Sequence, residues 1–238
     1  MDRSAMTRRG ALRLGALGLL GSLAGCAGGS GGQGETTAGG ADDSDGEDEN
    51  TLSGHPGAAG LSRQPYLGAD PESASAVIVA FEDPSCTTCR RFERQTLPTL
   101  QSELLEPGTA SFVFRGLGII YDWGEPAAKA LEATLARSEP AHWALKAHYY
   151  DQQRNFDAGN VLDRTASFLD RDTEVEGAAV IEDVDSGAAD EEYGIDLDAA
   201  NAVGVRATPT FLLFTDGTYV TQATGAVSYD VLATSLGV

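Results

Sequence analysis

Two of the three cysteines in this 238-residue chain, Cys86 and Cys89, stand in the string Pro84-Ser85-Cys86-Thr87-Thr88-Cys89. An apolar run, Ala76-Val77-Ile78-Val79-Ala80-Phe81, comes just before them. After them Cys89, Phe92, Thr96, Leu97, Leu100 and Leu104 fall on one helical face. This order predicts a strand that delivers two thiols to the first turn of a helix. There Cys86 meets unpaired N–H groups and the positive end of the helix dipole, and both favour a thiolate. Cys89, one turn on, is near enough to close a small disulfide ring with it. Dithiol–disulfide redox chemistry is the reading this placement supports.

Two other uses of the motif stand beside it. A half zinc site needs two further ligands, and the chain offers only His55, His142, His148 and Cys26 besides carboxylates, none at ligand spacing. No metal and no cofactor are expected. A purely structural disulfide rarely takes a two-residue gap at a helix start.

The elements that must hold the pair follow from the rest of the chain. Gln64-Pro65-Tyr66-Leu67-Gly68 predicts a short edge segment, and residues 76–82 the central strand. One helix is expected over about 86–105, with Pro98 kinking it. Ala110 to Arg115, rich in aromatic and β-branched residues, predicts a second strand. From about 123 to 203 the pattern is helical. Helices are expected from Pro126, from Pro140, over Ala158–Leu169 and between Gly187 and Ala202. His142 and His148, six apart, do not share a face and read as surface or packing residues. The strand pattern returns at Ala207-Thr208-Pro209-Thr210-Phe211-Leu212-Leu213-Phe214, turns at Asp216-Gly217 and continues over Thr218–Thr224 before a final helix from Ser228 to Leu236. A proline heading a buried strand suits a turn, where a cis bond is a recurring solution.

The first sixty residues differ in kind. Thr7-Arg8-Arg9-Gly10-Ala11-Leu12-Arg13 resembles a twin-arginine signal, and Leu23-Ala24-Gly25-Cys26 resembles the lipobox of secreted lipoproteins. That resemblance implies a signal peptide over 1–25, cleavage before Cys26 and a lipid thioether on its sulfur. Residues 26–60, Gly-rich and acidic, contain too little apolar surface to offset ordering entropy and are expected to be a disordered tether. The folded domain is expected over 61–238. Over the whole chain 36 acidic residues face 16 basic ones, for a net charge of −20. Only Lys129 and Lys146 are lysines. Such a surface repels nucleic acid and anionic headgroups, and its composition resembles that of proteins from extreme halophiles.

Taken together, strand, Cys-x-x-Cys helix, strand, helical insertion, Thr-Pro hairpin and final helix resemble a thioredoxin-like α/β plan. The insertion resembles that of the DsbA-type thiol–disulfide oxidoreductases. Residues 81–92 resemble that family's active-site segment and 205–214 its cis-proline segment. The resemblance implies that Cys86 is the exposed nucleophile, Cys89 the shielded resolving thiol, and Thr208-Pro209 a substrate-binding loop packed on the redox-active disulfide. Two departures stand out: Thr87 and Thr88 occupy the dipeptide where relatives often carry Pro, His or an aromatic. The position of a buried proton-shuttling acid, six before Cys86, holds Ala80, with Glu82 and Asp83 the nearest substitutes. The implied activity is extracytoplasmic disulfide formation or exchange in exported proteins with thiols or disulfides, recycled by a membrane redox partner. The implied location is the outer face of the cytoplasmic membrane, by lipid anchor only. A reductase of extracytoplasmic disulfides and a non-catalytic lipoprotein binding module with a structural disulfide are the competing readings.

Overall fold

The computed structural model describes residues 48–238. Five strands, β1 (Tyr66–Gly68), β2 (Ala76–Glu82), β3 (Ala110–Gly116), β4 (Thr210–Thr215) and β5 (Thr218–Thr224), form one mixed sheet in the order β1-β3-β2-β4-β5. β2 runs parallel to β3, with Val79 opposite Val113, and antiparallel to β4, with Val79 opposite Leu212. β2 is central and every one of its seven residues is buried, which is why it reads as a continuous apolar run.

A strand's period of two sorts these residues onto two cores. Ala76, Ile78 and Ala80 join Phe112, Phe114, Phe211 and Leu213 on one face. Val77, Val79 and Phe81 join Val113, Leu212 and Phe214 on the other. The first face is covered by α1 (Thr87–Gln95), α3 (Gly124–Leu135), α4 (Glu139–Gln152), α5 (Val161–Asp172) and α8 (Tyr229–Leu236). The second is covered by α7 (Asp190–Ala202) and the segment around Leu52 and Ala58.

Three expectations are corrected. The single helix over 86–105 is instead α1, then α2 (Leu97–Leu100), then a π-helical turn, Gln101–Leu105. Pro98 lacks the N–H a continuous helix would use, so it sits in the first turn of α2, while the Thr96 hydroxyl donates to the Val227 carbonyl at 2.8 Å. The insertion has five helices, because α6 (Gly177–Ser186) precedes α7. Its first residue lies so close to α5 that a Cβ there would stand 2.4 Å from the Ala166 carbonyl oxygen, so glycine is a packing requirement. The third concerns the tether. Over residues 48–60 the chain is packed: Leu52 and Ala58 are buried, Thr51 bridges Thr218, and the Leu52 N–H donates to the Gly217 carbonyl at 2.8 Å. A few apolar residues suffice there because the sheet edge supplies the partner surface that composition cannot show. The signal peptide, Cys26 and the tether up to residue 47 lie outside the described residues.

One buried ion pair ties the insertion to the sheet. Arg115 on β3 donates from Nη1 to Asp196 Oδ1 on α7 at 2.9 Å, and Asp196 Oδ2 accepts the Gly116 N–H at 2.7 Å. Arg115 Nη2 also donates to the Ala59 carbonyl. Breaking such a pair from one side leaves an uncompensated buried charge, a cost of about 3–5 kcal/mol. Among the described residues no helix is long and apolar enough to cross a membrane.

Candidate active site

At the C-terminal end of β2 the chain leaves the sheet through Asp83, Pro84 and Ser85 and enters α1. Cys86 is the N-cap of α1, in extended conformation (φ −74°, ψ 122°), so its side chain lies over the open N–H groups of the first turn. Cys89 follows within that turn. Both are free thiols, and Tyr150 from α4 packs on them. From the other side the Thr208–Pro209 loop closes over the pair. Its peptide bond is cis, as expected from the sequence. The Cys86 thiol donates to the Thr208 carbonyl at 3.2 Å. The structure thus brings together Cys86, Cys89, Thr208 and Pro209, although Cys86 and Thr208 stand 122 positions apart in the chain.

One expectation from the family resemblance changes. Cys86 is not open to solvent in this state: it is 5% exposed, and Cys89 0%. The Thr208 loop covers the sulfur, so attack on it requires a reacting partner to enter beside that loop.

The two thiols are electrostatically unlike. Cys86 is lowered to about 5. The Cys89 S–H, donating to its sulfur, contributes most; the Thr208 hydroxyl and the N–H groups of Cys89 and Thr88 add to it, against the opposing effect of burial. Cys89 is pushed well above the ordinary thiol range, by burial first, then by its bond to Cys86 and the nearby Glu82 carboxylate. The Thr208 hydroxyl oxygen is buried and has no partner while Cys86 is a thiol. The carbonyl of Thr208 can only accept and so holds the protonated thiol. The hydroxyl can donate and so holds the thiolate.

Behind the cysteines lies a buried charged cluster. Tyr150 donates to Glu82 Oε2 at 3.0 Å, Lys146 Nζ stands 3.3 Å from Glu82 Oε1 without hydrogen-bond alignment, and Lys146 also donates to Glu93. The ammonium is boxed by rings, 4.8 Å from the Phe114 centroid and 5.5 Å from those of Trp143 and Tyr150. Burial raises Glu82 to about 8, opposed by Lys146. For Lys146 burial lowers the pKa, but Glu82 and Glu93 outweigh it, so the ammonium stays charged. Ala80, at the position six before Cys86, carries no acid. Glu82, two residues on, faces Tyr150 and α4 instead.

A second acid orders the approach to Cys86. Asp83 Oδ1 accepts from the Ser85 N–H at 2.7 Å and its hydroxyl at 2.6 Å, while Oδ2 accepts the N–H groups of Ile119 and Ile120 at 2.8 Å each. Gly124 must be glycine, because a Cβ there would lie 2.8 Å from Asp83 Oδ1. Gln153 donates to the carbonyls of Pro84 at 2.8 Å and Cys86 at 2.9 Å, anchoring the loop to the insertion. Beside this loop a cleft of about 700 Å³ opens, lined by Thr87, Ile120, Tyr121, Trp123, Gln153 and Phe156 among others. Tyr150, Lys146 and Gln153 carried no motif in the sequence. The one available signal was compositional: a chain that keeps only two lysines has placed one of them fully inside. His142 is a packing residue, buried, with Nδ1 3.1 Å from the Leu131 carbonyl. His148 stacks on Phe168, their centroids 4.1 Å apart.

Comparison with known proteins agrees with this architecture. A family model described as thioredoxin matches residues 63–229. Among curated proteins, disulfide bond formation protein D of Bacillus subtilis is 24% identical over 162 residues, which cover 68% of this chain and 71% of that protein. Among solved structures, oxidised BdbD of Bacillus subtilis superposes with a TM-score of 0.60 at 20% identity, covering 75% of this chain and 95% of that one. The α-DsbA1 protein of Wolbachia pipientis gives 0.59 at 18%, covering 73% and 89%. The catalytic domain of Proteus mirabilis ScsC gives 0.58 at 19%, covering 78% and 94%.

Proposed function

The chain belongs to the thioredoxin family, and on that premise we propose that it is a DsbA-type thiol–disulfide oxidoreductase whose redox centre is Cys86 and Cys89, acting on exported proteins. The observation that carries this reading is the unequal placement of the two thiols, Cys86 at the N-cap of α1 with its sulfur 3.2 Å from the Thr208 carbonyl and Cys89 fully buried behind it against Tyr150, which lowers one pKa and raises the other. A structural disulfide has no use for it.

In the oxidising direction a client thiolate attacks Cys86 Sγ of the Cys86–Cys89 disulfide. A mixed disulfide forms, and Cys89 leaves with the electron pair. Cys89 has a high proton affinity and takes up a proton at once, with the protonated Glu82 carboxyl, near it through Tyr150, as donor. The client's second thiolate then attacks its own sulfur in the mixed disulfide and expels Cys86. The low pKa of Cys86 makes it the better leaving group. The client ends oxidised by two electrons and the enzyme holds the dithiol, to be reoxidised by a membrane redox partner. Stabilising the Cys86 thiolate stabilises the reduced enzyme, which makes the disulfide oxidising and favours this direction over the reductase reading.

The location rests on sequence alone: the twin-arginine string and Leu23–Cys26 support export and a lipid anchor at Cys26, and the acidic, lysine-poor composition supports a salt-rich setting. Thr208 and Pro209 serve as the loop against which a client backbone lies. The test is trapping. Cys89→Ser should accumulate mixed disulfides between Cys86 and exported proteins, whereas Cys86→Ser should form none. Wild-type protein found fully reduced at steady state, joined mainly to an electron donor, would replace the oxidase by a reductase. Absence of any exchange with insulin or small dithiols would leave only the binding module.

A further inference from the structure

The described residues hold twelve of the sixteen basic side chains, the other four being Arg3, Arg8, Arg9 and Arg13. Six of the twelve are held in ion pairs: Arg63, Arg115, Lys129, Arg137, Lys146 and Arg171. Of the six that pair with no carboxylate among the described residues, four gather at one place. Arg90, Arg91, Arg94 and Arg154, with Thr87, Gln95 and Gln153, line a cleft of about 480 Å³ whose wall includes no acidic residue. In a chain with 36 acidic residues, carboxylates have been kept away from these guanidinium groups. Thr87, which follows Cys86 in the chain, is part of that wall, while Cys86 itself lies beneath the Thr208 loop. Arg90 is fixed by its Nε donating to the Tyr150 carbonyl at 2.7 Å, which leaves its terminal nitrogens free. Arg91, Arg94 and Arg154 are exposed.

We propose that this arginine face docks acidic segments of the thiol-bearing client, its carboxylates pairing with Arg90, Arg91, Arg94 and Arg154 while its cysteine meets Cys86. The inference rests on the oxidoreductase reading and adds the chemistry of the substrate. Charge complementarity selects the occupant: the acidic excess of the chain repels an acidic segment, and among the described residues these four arginines form a patch that attracts it. Arginine, planar and forked, grips carboxylates bidentately at contact range, where salt screens least. Arg94 lies eight residues along α1 from Cys86, about 12 Å at the helical rise, a distance spanned by about four extended residues. The recognised acids therefore fall within about four positions of the client cysteine.

The experiment uses the purified protein in its disulfide form and three single-cysteine peptides of equal length, flanked by Asp/Glu, by Ser/Gly or by Lys. At low ionic strength the acidic peptide should react at least about tenfold faster than the basic one, the lower end of electrostatic steering. Arg91→Glu/Arg94→Glu/Arg154→Glu should invert that ratio. Arg91→Glu alone should lower it, and Arg171→Glu, the same charge change outside the cleft, should leave it where it was. Reading a ratio cancels any change in intrinsic thiol reactivity. Should the triple variant fail to fold, the contrast of Arg91→Glu with Arg171→Glu decides. Equal rates in the wild type, or a ratio that neither Arg91→Glu nor the triple variant moves, would overturn the proposal. Anisotropy with a Cys→Ser acidic peptide separates it from its premise: charge-selective binding without exchange would sink the oxidoreductase reading and keep the docking face. Vesicles containing phosphatidylglycerol that bind the wild type but not the triple variant, with peptides undiscriminated, would give the face to a membrane and overturn the proposal.

Discussion

The Thr208 hydroxyl offers the sharpest perturbation of the redox centre. It is 6% exposed, its oxygen has no partner in the thiol state, and it favours the Cys86 thiolate. Thr208→Val keeps the branched shape and removes only the donor. A hydrogen bond to a charged group is worth about 1.5–3 kcal/mol, and one pKa unit corresponds to about 1.4 kcal/mol. The Cys86 pKa should therefore rise from about 5 by about one to two units. The same free energy destabilises the reduced enzyme, and at about 30 mV per 1.4 kcal/mol the potential should fall by about 30–60 mV. In the thiol form, below the Cys86 pKa, stability should be unchanged or slightly higher, because a buried unpaired hydroxyl is lost. Thiolate absorbance titration gives the first number and equilibration against glutathione the second, with Thr208→Ser as a control that keeps the donor. An unmoved titration midpoint in a well-folded Thr208→Val protein would refute the reasoning and leave the Cys89 S–H and the backbone N–H groups as the sources of the depression.

Three further outcomes are expected. Glu82→Gln should slow release of Cys89 by about 10²-fold in rapid-quench thiol exchange and erase the titration near pH 8 from its rate profile; an unaltered profile would exclude Glu82 as the proton donor. Glu132 is buried beside Asp196 and Arg115 and is raised to about 8, by burial first. A raised carboxyl contributes stability that is complete below its ordinary pKa and lost as pH climbs towards 8, so the protein should weaken over that range. Glu132→Gln should recover about 1–4 kcal/mol at pH 8 in denaturant titrations; a pH dependence identical to wild type would contradict this. With a net charge of −20, thermal stability should climb with salt as the Debye length shrinks from about 30 Å at 0.01 M to about 3 Å at 1 M; a flat melting temperature would show that self-repulsion costs the fold little.

How much of this was legible in the sequence follows from how local each determinant is. The central strand, the two thiols at a helix start and the Thr-Pro entering a hairpin each depend on a short run of residues, so type and spacing announce them. β2 could be read because a strand buried on both faces needs apolar residues throughout. Helix boundaries were less legible. The break at Thr96 depends on Pro98 together with a hydrogen bond to Val227, 131 positions away. α6 depends on how closely Gly177 approaches α5.

By itself, then, the sequence determined the plan of the domain and the identity of its chemical groups: a dithiol at a helix N-terminus, a loop to close over it and an acid excess to surround it. Tertiary structure alone decided how those groups behave. Cys86 and Cys89 are the same residue type, one turn apart, and only folding separates them, by placing one at the N-cap beneath the Thr208 hydroxyl and the other against Tyr150 near Glu82. Lys146, Gln153 and Arg154 come from the helical insertion, far along the chain from the motif they serve. Pairwise electrostatics and burial depend on distance in space, and the chain sets that distance only when it folds.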